Sequence, residues 1–293
     1  MMNHREKFVL GTAQLGLSYG ITNQNDFCMS NSDAQKILNR AYSKGVRTID
    51  TAPSYGLAQI RIGKNDNKFK IISKISSEIF NKKNISEHIK AEISETLENL
   101  QQDSIDCVLI HSSKGLLSNN GEKIYTELES LKQTGAVKKI GVSVYSCDDI
   151  REIIKNYKID VCQFPINIFD LRFRDNGCLE ELRNKNIEAH ARSIFLQGLL
   201  LLEPEKLPKK FFKWRHIFEQ FHMWCLEKNL SSLEACLNFV FALDKVDKIL
   251  IGVSSINQLN EILKLELRKE FIAKNFNCSD ELLLNPSMWK NIQ

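Results

Sequence analysis

What the chain lacks narrows its identity first. It has no marked excess of either charge: 40 basic and 36 acidic residues over 293 positions leave a net charge of +4. That balance argues against a polyanion as partner, and no long basic run is interleaved with aromatics. The nearest approach, KKFFKWRH from Lys209 to His216, reads as a solvated face, so no nucleic-acid partner is expected. No apolar run is long enough to span a bilayer; the longest centres on Leu199 to Leu202. The opening MMNHREK leads into a short apolar run broken by Gly11, Thr12 and Gln14, a poor match to a signal peptide. No C-x-x-C occurs. The eight cysteines, at 28, 107, 147, 162, 178, 225, 236 and 278, are scattered, as free thiols in a reducing compartment are. There is no H-E-x-x-H, and His216 and His222 stand six residues apart, off a common helical face, so with Cys225 they make no convincing metal site. These absences together lead to the expectation of a soluble, cytoplasmic protein without a membrane partner or a metal.

What is present is alternation. Hydrophobic residues make up 43% of the chain, enough for a sizeable core. Short β-branched runs occur at Phe8–Thr12, Thr48–Thr51, Lys70–Ile75, Ile105–His111, Lys139–Val144, Val161–Pro165, Glu188–Ser193 and Lys248–Gly252. Amphipathic, helix-spaced segments separate most of them. SDAQKILNRAYSKG offers Ser32 or Asp33 as its cap and ends at Gly45, and CDDIREIIKNY opens with acidic residues that suit a helix dipole. The longer stretch from Leu199 to Val246 reads as two helices, near Trp214–Lys228 and Ser231–Leu243. Strands in strict alternation with helices imply parallel βαβ units, and eight of them close a (β/α)₈ TIM barrel. No linker or repeat interrupts the pattern. The expectation is one domain over 1–293, with a core at about 7–265 and a C-terminal extension over the barrel.

In such a barrel, active sites gather at the C-terminal ends of the strands. Those ends carry Thr12 and Gln14, then Asp50 with Tyr55, Lys74, His111, Ser143, Gln163, Arg192 and Ser254. Any one polar residue at a strand end could simply satisfy loop backbone. An acid, a phenol, an amine and an imidazole at consecutive strand ends are harder to explain so, because Asp and Lys are rarely buried without a partner. The set suits proton transfer to a carbonyl.

The segments that carry these residues resemble those of the aldo/keto reductases. DTAPSYG is similar to that family's D-T-A-x-x-Y-G signature, SKIS contains its lysine and LIHSS its histidine. KKIGVSVYS, QFPIN, ARSIFLQGLL and LIGVSSINQL resemble later family segments in the same order, over residues 7 to 265. The resemblance implies an NAD(P)H-dependent reductase of a small-molecule carbonyl, with the cofactor extended across the barrel mouth. Consistent with that pose, no G-x-G-x-x-G dinucleotide fingerprint occurs. It implies Tyr55 as proton donor, Lys74 as the ammonium that favours its phenolate, Asp50 as the anchor of Lys74, and His111 as the group that orients the carbonyl. Ser143 and Gln163 would take the nicotinamide carboxamide. Thr12, Arg192, Gly252 and Ser254 would complete the cofactor site, with NADP(H) favoured over NAD(H).

Two departures qualify the resemblance. Arg192 stands where many members place a stacking tyrosine; it could stack, grip an anion, or pair structurally with Asp170 or Glu188. Ser254 stands where NADP-preferring members carry an arginine, which weakens any discrimination by the 2′-phosphate. RSIFLQGLLL at the seventh strand, together with Asn167, Asp170 and Arg172 in N-x-x-D-x-R spacing after the sixth, resembles a bacterial subset linked with cell-surface carbohydrate synthesis. The rival readings are a non-catalytic, NADP(H)-binding redox-sensing subunit on the same barrel, and an unrelated barrel hydrolase or lyase.

Overall fold

The protein is described by a computed structural model over residues 4–20, 29–276 and 278–292. Cys28 lies outside the described residues. The β-branched runs form eight strands: β1 (Phe8–Gly11), β2 (Thr48–Asp50), β3 (Lys70–Ile75), β4 (Cys107–Ile110), β5 (Ile140–Ser143), β6 (Val161–Pro165), β7 (Glu188–Arg192) and β8 (Lys248–Gly252). Each pairs in parallel with the next, and β8 closes on β1, giving a (β/α)₈ barrel. The principal helices are α1 (Asn31–Ser43), α2 (Ala58–Gly63), α3 (Ile85–Leu100), α4 (Gly121–Gln133), α5 (Cys147–Asn156), α6 (Cys178–Asn184), α7 (Arg215–Glu227), α8 (Ser232–Phe241) and α9 (Ile256–Lys264). Two of them, α7 and α8, fill the long β7–β8 connection. The cap of α1 is Ser30 rather than Ser32 or Asp33, its hydroxyl accepting from Asp33 N at 3.1 Å. The helix therefore starts one residue before SDAQ. No described helix is long and apolar enough to cross a membrane.

Strand alternation divides the core in two. Val9, Ile72, Cys107, Leu109 and Val161 pack inside the barrel, while Leu10, Ile71, Cys162 and Phe164 face outward under the helices. The inward parity of β3 and β6 carries on from Ile72 to Lys74 and from Val161 to Gln163. The apolar filling thus gives way to polar side chains toward the C-terminal rim.

At the opposite rim a device repeats. Asp106, Asp160 and Asp247 each stand just before an even-numbered strand and accept an N–H from the preceding odd one. Asp106 takes Ile71 N at 2.9 Å, Asp160 takes Ile140 N at 2.8 Å, and Asp247 takes Ala189 N at 2.8 Å. Lys138 and Lys132 pair with the first two at 3.0 and 2.6 Å.

The tail after α9 returns over the mouth. Phe276 packs edge-on against Trp224 at 5.8 Å, and Trp289 against Phe211 at 4.9 Å. Asp280 accepts from Trp214 Nε1 at 3.0 Å and pairs with Lys213 at 3.1 Å. Arg172 joins the tail to the barrel: it grips Asp170 through Nε and Nη2, both at 2.8 Å, and reaches Glu281 at 3.0 Å. Asn167, fully buried, ties the loop after β6 to the loop after β7. Its Oδ1 accepts from Phe169 N and Asp170 N, and its Nδ2 donates to Ser193 O at 3.1 Å. The N-x-x-D-x-R triplet is a brace between two loops and the tail.

Candidate active site

The C-terminal ends of the strands surround one cavity of about 1520 Å³. Asp50, Tyr55, Lys74, His111, Ser143, Gln163, Arg192, Gly252, Ser254 and Thr12 all line it. Every residue singled out at the strand ends therefore meets the same space, though not all are equally free to act.

At its centre, the buried Lys74 ammonium is in contact with Asp50 Oδ1 and donates to Thr51 O at 3.1 Å. The other carboxylate oxygen, Asp50 Oδ2, accepts from Gln163 Nε2 at 2.9 Å. Asp50 is thus saturated from both sides. Lys74 Nζ lies 5.0 Å from the centre of the Tyr55 ring. Burial is the largest single influence on Lys74 and pushes its pKa down, but Asp50 and Tyr55 together outweigh it and hold the ammonium above its ordinary value. A cation is fixed beneath the phenol.

Tyr55 is positioned by backbone that only glycine permits. A Cβ on Gly16, in the segment after β1, would stand 1.8 Å from Tyr55 O; one on Gly56, with φ of 55°, would meet Gly16 O at 2.6 Å. These two glycines let the segments after β1 and β2 press together and turn the phenol into the cavity. His111 faces Tyr55 nearly edge-on, ring centres 6.5 Å apart. Its imidazole is pushed down to about 4, by burial first, then by Lys74 and Arg192 against the pull of Asp50. At neutral pH it is uncharged and offers one N–H donor and one acceptor.

The remaining candidates divide. Thr12 lends its hydroxyl to Asp50 O at 2.9 Å, so it fastens β1 to β2 beneath the site. Ser143 lines the cavity beside Gln163, its partner in the β5–β6 register. The Gln163 carbonyl oxygen remains available after its amide N–H is given to Asp50. Ser254 N is covered by Gln258 Oε1 at 2.7 Å, at the N-terminus of α9. A Cβ on Gly252 would meet the Gln14 amide at 2.8 Å. Arg192 pairs with neither Asp170 nor Glu188, the partners considered for it. Asp170 is taken by Arg172, and Glu188 by Lys139 and His190. Arg192 instead donates to Val144 O at 3.0 Å and Ser193 Oγ at 3.3 Å, and lies 4.1 Å over the Tyr145 ring.

The structure adds Tyr145 and Tyr19 to the lining, the latter accepting from Gln197 Nε2 at 3.2 Å. Both sit on loops with no periodicity to betray them; only the position of Tyr145 two residues beyond Ser143 could have pointed to it. His222 and Cys225 also line the cavity, but no three His, Cys, Asp or Glu side chains converge as metal ligands among the described residues. Trp214 and Trp224 are buried in the α7 packing.

A nicotinamide dinucleotide fits the residues present. The cavity exceeds the several hundred Å³ of a typical small-molecule site. Its lining sets a hydroxyl and an amide carbonyl side by side at Ser143 and Gln163.

Comparison with known proteins gives a single answer. The family model described as "Aldo/keto reductase family" matches residues 7–283. The chain is 25% identical over 277 residues to the NADH-specific methylglyoxal reductase of Escherichia coli, covering 82% of each chain. It is 27% identical over 183 residues to the uncharacterized oxidoreductase YqkF of Bacillus subtilis, covering 59% of this chain and 58% of that relative's length. Among solved structures, aldo-keto reductase AKR11C1 from Bacillus halodurans superposes with a TM-score of 0.70 at 20% identity, covering 89% of this chain and 88% of its own.

Proposed function

The chain belongs to the aldo/keto reductase family, and from that premise we propose that it reduces an aldehyde or ketone to the alcohol, with Tyr55 as proton donor. The observation that carries this reading is the unbroken contact path Gln163–Asp50–Lys74–Tyr55, opening onto the cavity opposite a neutral His111. A bound reduced nicotinamide supplies the hydride. The chain's own residues handle the oxygen. His111 donates its N–H to the carbonyl oxygen and fixes its direction. Tyr55 releases its proton to that oxygen as negative charge develops there. Lys74, kept charged by Asp50, stabilises the phenolate left behind. Ser143 and Gln163 would hold the carboxamide and thereby decide which ring face meets the substrate.

The substrate we propose is small and polar. Ser77, Asn81, Ser112, Ser118 and Gln197 line the same cavity as Tyr55 and His111 and bring hydrogen-bonding groups to it. One relative is named for methylglyoxal and another, D-arabinose 1-dehydrogenase of Saccharomyces cerevisiae, for a sugar; a hydroxylated short-chain carbonyl or an aldose fits the same lining. For the cofactor we propose weak discrimination between NADPH and NADH. From Leu250 to Ser287 the cavity lining includes Glu261 and neither lysine nor arginine. A charge-assisted contact to the 2′-phosphate, worth about 1.5–3 kcal/mol, has no donor there.

The test is consumption of NADH and of NADPH with methylglyoxal, glyceraldehyde and D-arabinose, with alcohol formation measured alongside. Turnover with matching alcohol is expected, and affinities for the two cofactors within about tenfold, the ratio one charged contact would change. Tight cofactor binding without oxidation by any carbonyl would overturn the reductase reading in favour of a binding protein.

A further inference from the structure

The charges around the cavity do not cancel where the chemistry is placed. Lys74 is neutralised by Asp50, and both Asp50 oxygens are occupied, one by Lys74 and one by Gln163. Arg192 has no such partner. No carboxylate lies within ion-pairing distance of its guanidinium among the described residues. Its acceptors are the Val144 carbonyl and the Ser193 hydroxyl, both neutral. A half-buried guanidinium without a counter-ion is costly, and the chain had carboxylates within its repertoire; Asp170 and Glu188, on the neighbouring loop and the same strand, are committed to other cations.

Arg192 is also held still. The Tyr145 ring covers one face of its guanidinium at 4.1 Å, and Val144 O fixes one edge at 3.0 Å. Its backbone is locked between Ile166 N, which donates to Arg192 O at 3.1 Å, and Ser193, whose φ of 55° is sustained by the Asn167 hydrogen bond to its carbonyl. A planar fork fixed in this way, with donors to spare and one face on the cavity, has the geometry for an oxyanion. Its charge is felt across the cavity, since it helps to keep His111 neutral. A second cation, Lys114, lines the same cavity on the loop after β4 with no ion pair among the described residues. Besides Asp50, which Lys74 neutralises, the carboxylates that share the lining are Asp149, which accepts from the Ser113 hydroxyl at 2.6 Å, Glu203 and Glu261.

We propose that the substrate is an anionic carbonyl compound, bearing a carboxylate or a phosphate, and that Arg192, braced by Tyr145 and Val144, binds that group as the determinant of substrate charge. The proposal rests on the reductase reading above and names the class of its substrate.

The test compares matched pairs in wild type and in Arg192→Gln: benzaldehyde with 4-carboxybenzaldehyde, and glyceraldehyde with glyceraldehyde 3-phosphate. Wild type should favour at least one anionic member by tenfold or more in kcat/KM, and which pair responds separates carboxylate from phosphate. Arg192→Gln should collapse that ratio toward one, mostly through KM, whatever happens to absolute rates. A second arm measures binding of terephthalate and inorganic phosphate to the protein without cofactor, by calorimetry. Binding of either anion by wild type and its loss in Arg192→Gln supports the assignment even if no aldehyde is turned over, an outcome that would sink the reductase reading alone. Three results would overturn the proposal: a wild type that prefers the neutral members, a charge preference that survives Arg192→Gln, or a variant whose one defect is weaker NADH binding, which would hand Arg192 to the cofactor. Melting temperature, followed for both proteins, separates these effects from loss of fold.

Discussion

The two ends of the barrel are built from the same strands and hold similar charges, yet they treat them differently. At the N-terminal rim four acids are consumed. Asp106, Asp160 and Asp247 each bind the backbone of the neighbouring strand, and Glu188 is shared between Lys139 and His190. At the C-terminal rim Asp50 and Lys74 likewise satisfy each other, as do Asp170 and Arg172, but His111 and Arg192 open onto the cavity. His111 makes no side-chain hydrogen bond among the described residues, and Arg192 has no counter-ion. The difference teaches that a saturated polar group serves the fold, while one held rigidly but left incomplete has its partner in a ligand.

The sharpest way to break this contrast is at Tyr55. Tyr55→Phe should lower kcat/KM for carbonyl reduction by about 10²- to 10⁴-fold, the usual worth of a general acid. Cofactor affinity and melting temperature should stay near wild type. Stopped-flow reduction with a saturating aldehyde checks it, and near-normal turnover would remove Tyr55 from the chemistry.

Lys74 lies on the border between the two kinds of group, since it is both paired and catalytic in this scheme. Lys74→Met should abolish most activity and also cost about 3–5 kcal/mol of stability, because it strands a buried Asp50. Adding Asp50→Asn should restore much of the stability and none of the activity. Denaturant unfolding of the single and double variants separates the two effects; a double variant that regains turnover would make the pair merely structural.

The two ends should also part company on acidification. The His111 imidazole titrates near 6.5 when unfolded and is pushed down to about 4 in the fold. Between those values the unfolded chain binds more protons, so stability rises with pH. The contribution, roughly 3 kcal/mol, is complete above 6.5 and lost as pH falls toward 4. Glu188 behaves differently. Hydrogen bonding from His190 first, then Lys139, holds its carboxyl down to about 2, so its contribution persists until pH falls from about 4.5 toward that value. Melting curves should therefore show the mouth weakening first, and His111→Gln should flatten the upper part of the decline. A decline confined to pH below 4.5 in wild type would contradict the assignment.

How far this division could be read from sequence follows from what fixes each group. The strands were legible because β-branched runs ended abruptly at polar residues, and all eight are found within a few residues of those runs. Asp50, Tyr55, Lys74 and His111 were legible as a set because strand parity brings their positions to one rim. Tyr145 and Tyr19 were not, since loop conformation rather than period aims them. Nor was the fate of Arg192, whose candidate carboxylates were engaged by Arg172, Lys139 and His190. The start of α1 was misplaced by competition among Ser30, Ser32 and Asp33, chemically equivalent caps within one turn. The repeated acid after Ile105, Ile159 and Val246 was visible, but nothing in one sequence says that it binds the strand before.

The smallest expected effect tests that repeat. Asp160→Asn should cost about 1.5–3 kcal/mol, the range for a hydrogen bond to a charged group, with no change in kcat/KM. A change in kinetics without a change in melting temperature would mean that the two rims are coupled.

The carboxylate clips also bear on the order in which the barrel assembles. Each joins strands close in sequence: Ile71 to Asp106 spans 35 positions, Ile140 to Asp160 spans 20, and Ala189 to Asp247 spans 58. Closure of β8 on β1 must instead wait for nearly the whole chain. Loops of the first kind close at lower entropic cost, so the β3–β4, β5–β6 and β7–β8 pairs can form as early units and the β8–β1 seam last. Pulse-labelled hydrogen exchange during refolding should then find the amides of Ile71, Ile140 and Ala189 protected before that of Val9, which faces β8 because Thr12 N, three residues on, faces β2. On that ordering, the cavity exists only after the seam has closed, so ligand binding reports the final step of folding and none of the earlier ones.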